Sequence, residues 1–151
     1  MRKFLVVLDD TPECQNAMRY AAMRAARTAG GVVVLATISA EEIQHGIGVA
    51  DLMRAEAEER ITSQYNIFAK WMRDKQSVEP ELIIREGDPA QQLVTHIAED
   101  PQIGVIVLGA SSGKGGPGPL VTRLTRDIGT LPCPLTLVPG DISKDRLEEI
   151  T

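Results

Sequence analysis

Phe4-Leu-Val-Val-Leu8 is a continuous apolar run rich in β-branched residues, the form a strand takes when both of its faces are covered. The same pattern returns at Val32 to Ile38, Glu81 to Arg85, Ile103 to Leu108 and Leu135 to Val138, which predicts five strands. Between them the period changes to that of helices. Asn16 to Thr28 sets Ala, Met and Tyr against Arg19, Arg24 and Arg27, with Asp10-Thr11-Pro12 as the expected cap and Gly30-Gly31 as the stop. From about Ala50 a second helix carries Ile61, Tyr65, Phe68 and Met72 on one stripe and Glu56, Glu58, Glu59 and Arg60 toward solvent. Gly87-Asp88-Pro89-Ala90 supplies a turn, a cap and a proline at the first helical position of a third helix, in which Leu93, Val94, Ile97 and Ala98 are expected to face inward. Leu120, Leu124 and Ile128 mark a fourth. Ser39 to Val49 has no period and reads as a loop long enough to be functional, and the polar tail Asp141 to Thr151 as a short helix or a disordered end.

Strands alternating with helices imply an α/β fold: a single-domain, open, parallel five-stranded sheet with helices on both faces, Rossmann-like. Ligands of such sheets bind beyond the carboxyl ends of the strands. The segments leaving those ends are Asp9 to Thr11, the chain after Ile38, and Gly109 to Pro119.

Composition narrows the chemistry. With 151 residues, 43% of them hydrophobic and 25% charged, the chain is the size and composition of one globular domain. A formal net charge of −5 and an aromatic content of 3% argue against a nucleic-acid partner, which selects basic and stacking surfaces. No stretch approaches a membrane span, so no membrane partner is expected. Cys14 and Cys133 form no paired motif, which points to a reducing, cytoplasmic setting. Cys14 lies near a helix start, where a thiol pKa can fall, but is read as an inert small side chain.

The loop GASSGKGGPGP over residues 109–119 is glycine-rich without being a Walker A loop, because three residues, not four, separate Gly109 from Gly113 and Gly115 follows Lys114. Its amides could form an anion nest around Gly113 to Gly116, with Lys114 adding charge; equally, the glycines could serve only to make a flexible loop. His45 and His96 have no nucleophile at triad spacing and are read as ordinary surface or core residues. Asp9, Asp10 and Asp88 could suggest a metal cluster, but Asp88 reads better as a helix cap and no metal is assigned. No general base stands out beside the loop, so enzymatic turnover is expected to be slow at most.

Four segments then carry a specific resemblance: FLVVLDDTPE at 4–13, VVVLATIS at 32–39, EGDPAQQLVTHIAE at 86–99, and VIVLGASSG through LPCPLTLVP at 105–139. In order and spacing the chain resembles the universal stress protein family of the adenine nucleotide α-hydrolase-like superfamily. The resemblance implies strand order 3-2-1-4-5, a domain over residues 1–139 followed by a polar tail at 140–151, and a cytoplasmic stress-response regulator. It also implies a bound adenine nucleotide such as ATP, with or without Mg²⁺. In the family's nucleotide-binding branch, glycines after the fourth strand admit phosphate to the backbone and a closing Gly-Ser/Thr pair opens a helix. Mapped onto this chain, Asp9, Thr11 and Ile38 fall at positions near base and ribose, Leu108 and Gly109 end the strand, and Ser112 or Gly113 takes the second glycine's place beside Lys114. Val121-Thr122 stands where the family has Gly-Ser/Thr, with Arg123 next to it, and the loop is one residue short between its ends. Two readings follow: a nucleotide-binding regulator at a degenerate glycine loop, and a non-nucleotide-binding dimer acting through protein partners. The family further implies a homodimer through the last strand, Leu135, Thr136, Leu137 and Val138, an apolar edge that invites pairing.

Overall fold

A computed structural model describes residues 1–43 and 48–151. The reading of His45, and part of that of the 39–49 segment, therefore lies outside the described residues. The strands β1 (Lys3–Val7), β2 (Gly31–Ile38), β3 (Pro80–Glu86), β4 (Ile103–Ala110) and β5 (Leu135–Pro139) form a single sheet in the order β3-β2-β1-β4-β5. Every pairing is parallel, as helical crossovers require.

Side chains alternate across each strand, and here both faces are dry. Phe4, Val6 and Leu8 join Val32 and Val34 beneath α1 (Cys14–Arg27) and α2 (Ala50–Gln76). Leu5, Val33, Leu35, Ile106 and Leu108 point the other way, beneath α3 (Pro89–Glu99) and α4 (Pro119–Arg126). Two covered faces are why the strands read as unbroken apolar runs. The α2 stripe is Ala57, Ile61, Tyr65, Ala69 and Met72, all buried, with Phe68 half-buried at its margin.

Several expectations are corrected. Asp10 does not cap α1: the cap position is Glu13, without a side-chain bond, and the Asp10 carboxylate accepts instead from Gln64 of α2 at 2.7 Å. Backbone turns at Thr11 and Pro12 precede the helix and take its leading amides, so it begins at Cys14. In α3, Val94 is 38% exposed and Ala98 is also exposed, while His96 turns inward at 9%. Ala90, Leu93 and Ile97 make the buried stripe. The fourth helix stops at Arg126, and Ile128 lies in a following 3-10 turn (Ile128–Thr130) with half its surface exposed. Three residues per turn replace 3.6 there, so a spacing of four no longer returns to the core. Asp88 does cap α3, accepting from the Gln91 amide at 3.1 Å.

The C-terminal segment is ordered. Ser143 caps α5 (Lys144–Ile150), whose Leu147 is fully buried in the core under α1. The Asn16 amide donates to the carbonyls of Pro139, Gly140 and Ile142 at 3.3, 3.1 and 3.0 Å, tying the chain after β5 to α1.

Candidate functional site

The sheet's order reverses between β1 and β4, where the chain leaves β1 for β2 on one side and returns as β4 on the other. A crevice at that point is where parallel sheets hold ligands. The Asp9 carboxylate stands at its centre, on the residues leaving β1. One oxygen accepts from the Thr11 backbone N–H at 3.0 Å and from the Thr11 hydroxyl, a local turn that fixes the carboxylate and leaves its second oxygen toward solvent.

Three clefts meet here. The first, 230 Å³, is lined by Val7, Asp9, Ala36, Thr37, Glu42 and Leu120, among others. Arg60 stands at its rim and binds Glu42 at 3.1 Å, while Glu42 also accepts from the Ser39 amide at 2.7 Å. Thus the 3-10 turn Ala40–Ile43 is stapled across the mouth. A smaller hollow of 110 Å³ brings together Asp9, Thr11, Leu108, Gly109 and Val121. The third, 610 Å³, lies between the starts of α3 and α4 and is lined by Asp88, Gly115, Gly118, Thr122, Arg123 and Arg126. Pro119 and Leu120 line all three.

The residues singled out in the sequence therefore divide. Asp9, Thr11, Leu108, Gly109 and Val121 share one hollow, and Thr122 and Arg123 share another. Ile38 is fully buried, and Ser112, Gly113 and Lys114 are exposed on the loop; none of the four lines these three clefts. Pro119, Leu120, Ala36, Thr37, Glu42 and Arg60 were not among the candidates. A small residue near the end of a buried strand, as at Ala36, was the available signal for one of them.

Two amides of the glycine loop are bonded within it. The Ser111 amide donates to the Pro117 carbonyl at 3.0 Å, and the Gly113 amide to the Ser111 hydroxyl at 3.2 Å. Gly118, at φ 114°, takes the left-handed turn that opens α4, and Pro119 follows at the first helical position, with no N–H to offer. The Thr122 amide and hydroxyl both donate to the Gly118 carbonyl, at 3.0 and 2.9 Å. Val121, 4% exposed, packs into the core with Leu108 and Leu124. Arg123 stands 3.7 Å from Asp88 and 3.6 Å from Asp127.

Reactive chemistry is sparse. Burial pushes the Cys14 thiol up to about 12, and its sulfur lies 3.5 Å from the Val7 carbonyl, so the inert reading holds. Among the described residues no group of His, Cys, Asp and Glu could hold a metal ion.

The family model described as Universal stress protein family matches residues 1–139. The chain belongs to the universal stress protein family. Its fold is shared with solved members. Universal stress protein UspA from Lactobacillus plantarum superposes with a TM-score of 0.73 at 18% identity, covering 91% of this chain and 97% of that one. A universal stress protein from Archaeoglobus fulgidus in complex with dAMP gives 0.59 at 22% identity, covering 91% and 97%. A universal stress protein in complex with cAMP gives 0.56 at 14% identity, covering 93% and 98%. Among curated proteins none matches the chain. No described helix is long and apolar enough to cross a membrane.

Proposed function

We propose that this universal stress protein is a cytoplasmic stress-response regulator that binds an adenine nucleotide, with base and ribose in the cleft beside Asp9. The observation that carries the reading is the Asp9 carboxylate, held by Thr11 at the carboxyl edge of β1, facing a 230 Å³ cleft floored by Val7 and Ala36 and walled by Leu120. A cleft with an aliphatic floor and wall beside a carboxylate held by its own turn suits a purine nucleoside, since the carboxylate takes a hydroxyl or amino proton while the aliphatic residues cover the ring. Solved relatives in complex with cAMP and dAMP support the ligand class. Occupancy changes the surface formed by the glycine loop and the Ala40–Ile43 turn, which is how binding reaches a protein partner. Turnover of ATP is slow at most, because among the described residues lining the cleft no side chain stands out as a general base.

A homodimer through β5 completes the proposal. β5 is an edge strand whose Leu137 is 39% exposed, and an open apolar edge is a template for pairing with a second copy.

The second reading is a dimer that acts through protein partners without nucleotide. Val121 favours it: a buried valine stands where the binding branch has a glycine.

Calorimetry with AMP and with ATP, each with and without Mg²⁺, separates the two. Binding at a ligand concentration about 100 times Kd stabilises the fold by about 2.7 kcal/mol. At about 2–4 °C per kcal/mol the midpoint of unfolding then rises by about 5–10 °C. No heat and no shift at millimolar nucleotide rejects the first reading and leaves the second.

A further inference from the structure

We propose that the ligand is an adenine nucleoside carrying no more than one phosphate, and that Leu120 sets this limit. The inference rests on the nucleotide-binding reading above and narrows it. Pro89, Pro119 and Leu120 line both the Asp9 cleft and the Arg123 cleft, so they form the ridge between the two. A nucleoside seated beside Asp9 must send any second and third phosphate over that ridge to reach Arg123 and Arg126.

Charge makes staying on the near side unfavourable for a triphosphate. Asp9, Asp10 and Glu42 line the near cleft, and the one cation among its described lining residues, Arg60, is already paired with Glu42. Like charges brought together in a partly enclosed cleft cost affinity. On the far side the arginines have carboxylate neighbours that offset their charge: Arg123 stands between Asp88 and Asp127, and Arg126 lies 3.8 Å from Asp127. Three of the nearby backbone amides are committed: Ser111, Gly113 and Thr122 spend theirs inside the loop and the first turn of α4, and Pro119 has none. Size agrees. At 230 Å³ the near cleft falls below the roughly 300 Å³ at which small-molecule sites usually begin, and the hollow that continues from it past Asp9 adds only 110 Å³.

The test is a competition series on the intact protein with adenosine, AMP, ADP and ATP, the last two with Mg²⁺, followed by calorimetry. Adenosine or AMP is expected to bind at least about tenfold more tightly than ATP. Leu120→Ala removes the half-buried ridge side chain, which also walls the nucleoside cleft, so AMP and ATP are both expected to lose affinity there while the AMP to ATP ratio narrows to within about threefold. ATP binding as tightly as AMP to the unaltered protein overturns the limit while leaving nucleotide binding intact. An unchanged AMP to ATP ratio in Leu120→Ala overturns the role of Leu120. Binding of none of the four rejects the nucleotide reading itself, a distinct outcome. The series on the unaltered protein stands even where the variant fails to fold.

Discussion

A Cβ placed on Gly109 would lie 2.7 Å from the carbonyl carbon of Glu13 and 3.0 Å from its side chain, so the end of β4 and the start of α1 meet with no room for a substituent. The contact is backbone against backbone and cannot be relieved by a rotamer change. Gly109 thus serves the packing of α1 on the sheet, whatever else approaches it. Gly109→Ala is expected to cost about 1–3 kcal/mol as an overpacked core does. That corresponds to a midpoint lower by about 2–12 °C, read by calorimetry without ligand. An unaltered midpoint would refute the packing role and return this glycine to the ligand alone.

The same helix holds the C-terminal segment. Asn16 is 6% exposed and its amide serves the carbonyls of Pro139, Gly140 and Ile142. Removing it strands the Gly140 and Ile142 carbonyls and leaves Pro139 only the Ile142 amide, with a cost of about 1–3 kcal/mol. Asn16→Ala is expected to raise hydrogen exchange in α5 well before it does so in β1 or β4, because α5 is otherwise anchored chiefly by Leu147 and by Arg24 donating to the Thr151 carbonyl at 3.0 Å. Uniform loss of protection across the chain would show that α5 is no separable unit.

How much of this was legible beforehand depends on what each pattern encodes. Runs such as Phe4 to Leu8 and Val32 to Ile38 announce a parallel sheet because covering both faces demands apolar residues at every position, and the sheet order followed from the family resemblance. Apolar spacing says which face of a helix is buried but not where the helix ends, which is why Ile128 reads as core and stands exposed. Asp10 has the residue type of a cap, but the turns at Thr11 and Pro12 decide where α1 begins. At the site, the glycines announce a loop after β4. Nothing local reveals that Ser111 closes on Pro117, or that Leu120 stands where three clefts meet, since both depend on how the loop folds back over β1.

At the opposite, amino end of the strands, Lys3 binds Asp100 at 2.9 Å and Glu81 at 3.0 Å, pinning the start of β1 to the end of α3 and the start of β3. Hydrogen bonding to Lys3 holds the Asp100 carboxyl below the usual range, and hydrogen bonding to Asp100 and then Glu81 raises Lys3. A depressed carboxyl pKa contributes stability that is complete above the unfolded value of about 3.9 and is lost as pH falls through the folded value. A raised lysine pKa contributes stability that is complete below about 10.4 and is lost as pH rises through the folded value. A double-mutant cycle of Lys3→Met and Asp100→Asn at pH 7 is therefore expected to give a coupling of up to about 1 kcal/mol, because both groups keep contact with solvent. The coupling should vanish near pH 2. A coupling independent of pH would mean that the pair acts through packing and not through charge.

The exposed side of β5 offers the last test. Leu137 pairs in register with Leu108 on β4 and has 39% of its surface open, while its neighbour Val138 is buried at 2%. Pairing of two β5 edges would cover Leu137 and its symmetry copy together, whereas a charge there would be buried without a partner. Leu137→Glu is expected to convert a dimer of the intact protein to monomer in light scattering at micromolar concentration. Its unfolding midpoint measured at high dilution, where the unaltered protein is also monomeric, should stay within about 2 °C, since an exposed position away from the core changes stability by about 0.5 kcal/mol or less. A dimer that survives the substitution would move the interface away from β5, and a monomeric unaltered protein would remove it altogether.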